Sequence, residues 1–351
     1  MDRRHLEEHV RTLITLDETP QPFLSAYLDL RDPLALHKLK EQARRIRMTL
    51  PREQRPAFEL ALGRIEGSAE RLKEQPIQSA AIFCREGDDP FFLSLKFRVE
   101  LPTELSYDTL PHVFRLIELK DSYDRYVVLI VSEEEARILE ISLGEVTRQV
   151  WTERAALRDR VGREWTRRHY QNHRRHRTEA FYKEVLEILE RRVLAGGFAH
   201  LVIAGNAQAI GLLRPRLSKQ LESRVVEILS HAKRQSPTDV VRSTIGSFVE
   251  REQLETLATV RQLREEIRKG GLAVVGRDST RDALEAGAVD VLLLSADWED
   301  HFDEREQLVR QAERSGAEIE VVQNEELLEA YEGVGALLRF PFSPALTLTT
   351  T

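Results

Sequence analysis

Apolar and polar positions follow two different periods along this chain. Short apolar or alternating segments predict strands at Phe23–Leu30, Tyr126–Ser132 and Val289–Ser295. Apolar residues spaced three and four apart predict helices between the strands, and glycine pairs follow two long ones, at Gly196-Gly197 and Gly270-Gly271. Strands and helices mixed in this order predict an α/β fold.

These elements group into three predicted domains. The pattern indicates an N-terminal α/β domain at residues 1–118, a central α/β domain at 119–246 and a C-terminal α/β/α sandwich at 247–340, followed by a tail at 341–351. The length of 351 residues agrees with this division, because single hydrophobic cores rarely grow beyond about 250–300 residues.

Composition limits the class of protein. The chain is 41% apolar and 32% charged, with a formal net charge of -7. Cys84 is its one cysteine, so we expect neither an intrachain disulfide nor a cysteine-based zinc site. No apolar segment approaches the roughly 18 residues that a membrane span requires. We therefore expect a soluble, cytoplasmic protein without a cofactor.

The strongest candidate chemistry is an arginine-rich segment at residues 162–177. It contrasts with the acidic net charge of the whole chain. Guanidinium groups pair bidentately with phosphate oxygens, so this segment predicts contacts with the phosphates of transfer RNA or ribosomal RNA. The predicted RNA-binding residues are Arg163, Arg167, Arg168, His169, His173, Arg174, Arg175 and Arg177.

A structural alternative to RNA binding is a solvated helix face with ion pairs to the acidic C-terminal domain. The candidate acidic partners are Asp297, Glu299, Asp300, Asp303 and Glu304.

Three histidines in the segment raise the question of a metal. His169, His173 and His176 are spaced as i, i+4 and i+7, which places them on one helix face. The neighbouring arginines would repel a cation, so we predict no metal site. Contacts with phosphates, or packing against a neighbouring domain, are the expected roles of these imidazoles.

The C-terminal part resembles a known family. The sequence GLAVVGRDSTRDALEAGAVDVLLLS (271–295), followed by AERSGAEIEVVQ (312–323) and GVGALLRF (333–340), resembles the C-terminal domain of archaeo-eukaryotic peptide chain release factors. The ribosome-rescue protein Pelota shares that domain. The resemblance covers roughly residues 248–340, and it implies a fold like that of kink-turn-binding ribosomal proteins, used mainly to contact partner proteins.

The central part resembles the same family more loosely. In release factors, a Gly-Gly-Gln loop runs into a long helix that is rich in arginine and aromatic residues, and residues 167–185 are similar to that helix. This resemblance implies a ribonuclease H-like central domain. The whole chain is most similar to the bacterial branch of the superfamily, which implies a translation factor that acts at the ribosome on peptidyl-tRNA or stalled complexes. Residues 1–118 show no counterpart of a stop-codon-reading loop, so the resemblance does not imply decoding.

One departure concerns the catalytic motif. No Gly-Gly-Gln tripeptide occurs in the sequence, and the equivalent positions are occupied by Arg163, Glu164 and Trp165. As catalytic candidates, Glu164 would orient a water and Trp165 would stack on the terminal adenine of a tRNA. The structural alternatives are that Glu164 complements a helix N-terminus and Trp165 packs at the helix entry.

Three functions therefore remain open at the level of sequence. The leading interpretation is a release-factor-like or rescue factor, with peptidyl-tRNA hydrolysis unresolved. The alternatives are a ribosome- or tRNA-binding factor without catalysis, and a nuclease built on a ribonuclease H-like domain.

Overall fold

A computed structural model describes most of the chain. The described residues are 3–123, 125–153, 167–230, 237–296, 302–323 and 326–342. The chain forms two compact units, of which the first comprises residues 1–123 and 252–351 and the second comprises residues 124–251.

The N-terminal part of the first unit is an antiparallel sheet with helices. Its strands are β1 (Phe23–Asp29), β2 (Ser79–Arg85), β3 (Phe91–Phe97) and β4 (Glu104–Asp108), in the order β3-β2-β1-β4. Its helices are α1 (Arg3–Ile14), α2 (Ala35–Thr49), α3 (Arg55–Lys73) and α4 (Phe114–Ser122). Leu39 of α2 and Phe58 of α3 belong to one buried cluster with Leu24, Ala26 and Leu28 of β1. Alternate residues of β1 therefore pack against these two helices.

The C-terminal part of the first unit is a second sheet. Its elements are β10 (Ala273–Val275), α9 (Arg277–Glu285), β11 (Val289–Ser295), α10 (Phe302–Ser315), β12 (Glu318–Val322), α11 (Glu326–Glu329) and β13 (Val334–Leu338). The strand order is β10-β13-β11-β12, with β11 and β12 parallel and the other pairs antiparallel.

Both faces of this second sheet are covered. Leu292, Leu293 and Leu294 are all fully buried, although neighbouring strand residues point to opposite faces. Leu293 shares a cluster with Leu263 and Leu328, which lie on two helices of one covering layer. Helices α9 and α10 also contact strands of this sheet. The arrangement is the layered α/β organisation that the glycine-terminated helices predicted.

The second unit has a five-stranded mixed sheet. Its elements are β5 (Tyr126–Val131), β6 (Glu135–Ser142), β7 (Glu145–Glu153), α5 (Arg167–Ala195), β8 (His200–Gly205), α6 (Ala207–Leu213), α7 (Lys219–Glu222) and β9 (Val225–Ser230). The order is β7-β6-β5-β8-β9, with β5, β8 and β9 parallel and the β5-β6-β7 meander antiparallel. Helix α8 (Pro237–Lys269) contributes residues to both units.

The two faces of the five-stranded sheet pack against different helices. Val127, Leu129 and Val131 of β5 share a cluster with residues of α5. The alternate residues Tyr126 and Val128 share another cluster with residues of α8. Tyr126 also stacks on Phe248, and burial raises the pKa of its phenol to about 12.

The predicted mixed α/β class is confirmed, with three sheets among the described residues. The division into three domains stays a prediction, and its boundary at residue 247 lies inside helix α8 (Pro237–Lys269). Within the described ranges, no helix is both long enough and apolar enough to cross a membrane.

Candidate RNA-binding segment

Residues 167–177 of the arginine-rich segment form the start of the longest described helix of the second unit. Strand β7 ends at Glu153 and helix α5 begins at Arg167. The candidates Arg163, Glu164 and Trp165 lie outside the described residues. Six further candidates occupy the first three turns of α5, where the structure describes the backbone as helical but not their side chains: Arg167, Arg168, His169, His173, Arg174 and Arg175.

Apolar packing holds the second half of α5. The buried residues of this helix that face the sheet are Phe181, Tyr182, Val185, Leu189 and Val193. In contrast, residues 176–180 are half-buried or exposed. At a rise of about 1.5 Å per residue, the 29-residue helix is roughly 43 Å long. The sheet therefore anchors α5 from Phe181 onward, and the predicted RNA-binding residues all precede that anchor.

Polar contacts fix the same half of α5. Ser218 Oγ donates a hydrogen bond of 2.7 Å to Glu190. An ion pair of 3.7 Å joins Arg192 to Glu140 of β6. Both contacts lie in the half of α5 that packs against the sheet, so they add to its apolar anchor.

Two candidates of the segment have described side chains. His176 is exposed, and its Nδ1 atom lies 3.8 Å from Glu179. Arg177 is half-buried. Neither observation tests phosphate binding, so the predicted RNA-binding residues stay predictions.

The alternative of ion pairs to the acidic C-terminal domain is also open. Asp297, Glu299 and Asp300 lie outside the described residues. Glu304 forms ion pairs of 2.9 Å with Arg277 and 2.5 Å with Arg281, both in its own unit.

The sequence patterns did not single out one exposed aromatic residue that precedes the segment along the chain. Trp151 of the edge strand β7 is 55% exposed and lies directly opposite Arg137 of β6, whose guanidinium carbon is 5.3 Å from the ring centroid. The sequence patterns did not predict strand β7, which follows Gly144, although its valines and threonines favour a strand. Those β-favouring residues were the signal that could have located Trp151 on an edge.

Two models of known protein families match successive parts of the chain. The family model described as bacterial archaeo-eukaryotic release factor family 10 matches residues 111–247, and the model described as eRF1 domain 3 matches residues 254–342. Two successive parts of the chain are thus similar to the archaeo-eukaryotic release factor and Pelota superfamily. The resemblance predicted from residues 271–295, 312–323 and 333–340 is thereby confirmed.

Individual members of the superfamily match parts of the chain. A protein pelota homolog of Methanocaldococcus jannaschii is 34% identical over 123 residues, which is 33% of this chain and 35% of that protein. A protein pelota homolog of Methanococcus aeolicus is 30% identical over 175 residues, which is 46% of this chain and 48% of that protein. The chain thus spans about a third to a half of the length of these curated relatives.

A solved archaeal structure is also similar. It is described as a model of ribosome-bound archaeal Pelota and ABCE1, and it matches with a TM-score of 0.48 and 18% identity. The match covers 76% of this chain and 78% of that one.

Proposed function

We propose that this protein acts at the ribosome as a release-factor-like rescue factor, and that its arginine-rich segment binds phosphates of transfer RNA or ribosomal RNA. The observation that carries this proposal is the pair of family matches at residues 111–247 and 254–342. They associate two successive parts of the chain with release factors, so the inference does not depend on one short motif. Action at the ribosome also implies a cytoplasmic location.

The form of α5 supports the RNA-binding part of the proposal. Its second half is fixed by buried residues such as Leu189 and by the ion pair of Arg192 with Glu140. Its first half carries the arginines in a chain whose net charge is -7. Local positive charge on a rigidly anchored helix attracts a polyanion without requiring the whole protein to be basic.

A protein partner for the C-terminal part belongs to the same proposal. Residues 254–342 match eRF1 domain 3, and the predicted role of such a domain is contact with other proteins. We assign the partner-binding surface to this part of the chain and the RNA-binding surface to α5.

The chemistry of the proposed factor depends on the segment before α5. The sequence lacks Gly-Gly-Gln, and Glu164 and Trp165 occupy the equivalent positions. Single-turnover release of a labelled peptide from stalled ribosomes distinguishes a hydrolase from a binding factor. Release that is lost in the E164A/W165A variant would assign hydrolysis to this segment, whereas no release by the wild type would leave a binding role.

Co-sedimentation with ribosomes tests the proposed function. The test variant replaces Arg167, Arg168, Arg174 and Arg175 with alanine. The control replaces four exposed arginines elsewhere, Arg44, Arg45, Arg261 and Arg268, so that both proteins lose the same charge. We expect the test variant to lose most ribosome binding while the control retains it. Wild-type protein that does not sediment with ribosomes or their subunits would contradict the proposal.

A further inference from the structure

Three side chains that commonly bind metals meet in the first unit. One ligand atom from each of Asp108, His112 and Asp303 lies within 4.8 Å of the other two. Asp108 ends strand β4, His112 follows in the connection to α4, and Asp303 lies in the first turn of α10. The fold therefore brings together residues that lie almost 200 positions apart in the sequence. No local pattern indicates this group, and the sequence predicted no metal site.

His112 is held rigidly in this group. It is only 4% exposed. Its backbone N–H donates to Ser25 Oγ at 3.1 Å, and its carbonyl oxygen accepts from Tyr27 Oη at 2.6 Å. A ligand whose backbone is fixed from two sides loses little conformational freedom when it binds an ion.

The spacing of the donor atoms fits a small ion. His112 Nε2 lies 3.2 Å from Asp108 Oδ2. Bonds to zinc of about 2.0–2.1 Å in a tetrahedron place neighbouring ligand atoms roughly 3.3 Å apart. The imidazole and the carboxylate are therefore already close to the separation that shared coordination requires.

Neighbouring groups orient the carboxylate of Asp108. Its Oδ1 atom accepts from the backbone N–H of Thr109 at 2.6 Å, which leaves Oδ2 directed at His112. A contact such as that from Thr109 is typical around metal ligands because it fixes the orientation of the coordinating carboxylate.

The third carboxylate provides access for an ion. Asp303 is exposed, in contrast to the buried His112. The guanidinium of Arg310, which interacts electrostatically with Asp108, donates hydrogen bonds to the backbone carbonyls of Leu13 and Ile14 at 3.2 and 3.3 Å and also to that of Pro111. Its donors are thus engaged with the backbone.

We propose that Asp108, His112 and Asp303 bind one divalent transition-metal ion of the zinc class. One imidazole nitrogen and two carboxylate oxygens form a three-ligand set of the type that zinc accepts, with water in the fourth position. The ion would join the connection before α4 to the N-terminus of α10. Its protein ligands would come from both the N-terminal and the C-terminal parts of the first unit.

Zinc titration of the full, untagged chain tests this proposal. Protein treated with a chelator and dialysed is titrated with Zn²⁺ against a chromophoric competitor, and its melting temperature is followed with and without the ion. We expect one ion per chain and a higher melting temperature with zinc, because an ion that binds only the folded state stabilises it. The D303N variant should bind at least tenfold more weakly and lose the temperature shift.

Two control proteins make the result specific. D278N changes another exposed aspartate in the first turn of a helix, α9, and should bind zinc as the wild type does. The H169Q/H173Q/H176Q variant removes the histidines of α5 and should also retain the ion. The proposal is wrong if wild-type protein binds no zinc, if D303N binds as tightly as wild type, or if binding is lost only with the α5 histidines.

Discussion

The carboxylate of Glu306 accepts a hydrogen bond of 2.8 Å from the backbone N–H of Phe114, which lies 192 residues earlier in the chain. Its other oxygen accepts from Val113 N at 2.9 Å. Glu306 belongs to α10 and is buried, so a C-terminal helix supplies the N-terminal cap of α4. A negative charge at this position satisfies two backbone donors and complements the helix dipole.

Removal of this cap should destabilise the first unit. We expect Glu306→Ala to lower the free energy of unfolding by about 2–4 kcal/mol, because two buried N–H groups lose their acceptor. Glu306→Gln keeps an acceptor atom and should cost less. Urea unfolding followed by circular dichroism measures the change. The exposed control Glu285→Ala should stay within about 0.5 kcal/mol of wild type, and equal effects of the two alanine variants would contradict the capping role.

Asp121 should make stability depend on pH. Its Oδ2 atom accepts from Val321 N at 2.9 Å, but burial raises its pKa from 3.8 to about 8, with a smaller contribution from nearby carboxylates such as Glu320. The folded state therefore holds this proton more tightly than the unfolded state does. The contribution of Asp121 to the free energy of unfolding is fully present below about pH 4 and is lost as the pH rises through about 8.

The Asp121→Asn variant checks that sign. An amide retains the hydrogen-bond acceptor but has no charge to bury, so the variant should gain stability relative to wild type as pH increases from 4 to 8. The measurement is the difference in unfolding free energy between the two proteins at several pH values. Asp278→Asn, at an exposed site, should show a constant difference. A flat difference for Asp121→Asn would refute the raised pKa.

Two leucines of α5 test how the helix is anchored. Leu189 is fully buried against the five-stranded sheet, whereas Leu194 is 37% exposed. Leu189→Ala should destabilise the second unit by about 2–5 kcal/mol, because it removes apolar contacts and leaves a cavity. Leu194→Ala should cost less than about 1 kcal/mol. Hydrogen exchange of the backbone amides in β5 and β8 measures both effects. Similar exchange rates in the two variants would show that Leu189 does not anchor α5 to the sheet.

Local patterns predicted much of the fold. The strand beginning at Phe23 is observed as β1 (Phe23–Asp29), and the apolar residues Phe181, Val185 and Leu189 of α5 are buried as their helical spacing predicts. The superfamily was also recognisable, because its motifs in residues 271–340 are continuous in sequence. Such features depend on neighbours within a few turns.

Contacts between distant segments were not predictable in the same way. The cap that Glu306 forms on α4 and the group of His112 with Asp303 both join residues nearly 200 positions apart. Strand β4 (Glu104–Asp108) was missed because it is short and half-buried throughout, so it lacks a clear apolar period. The apolar pattern predicts helix α8 only from Phe248 to Arg268, whereas α8 begins at Pro237, because Gly246 interrupts the pattern.

The salt dependence of transfer RNA binding tests the central claim most directly. Affinity for transfer RNA is measured across a series of salt concentrations for three proteins. These are the wild type, the test variant with Arg167, Arg168, Arg174 and Arg175 replaced by alanine, and the control with Arg44, Arg45, Arg261 and Arg268 replaced by alanine. We predict that wild type and control bind with the same steep salt dependence and that the test variant binds more weakly. The slope of log affinity against log salt concentration should be smaller by roughly 3 for the test variant, because each lost phosphate contact reduces this slope by about 0.7–0.9. Salt-independent binding, or equal losses in the two variants, would contradict the account.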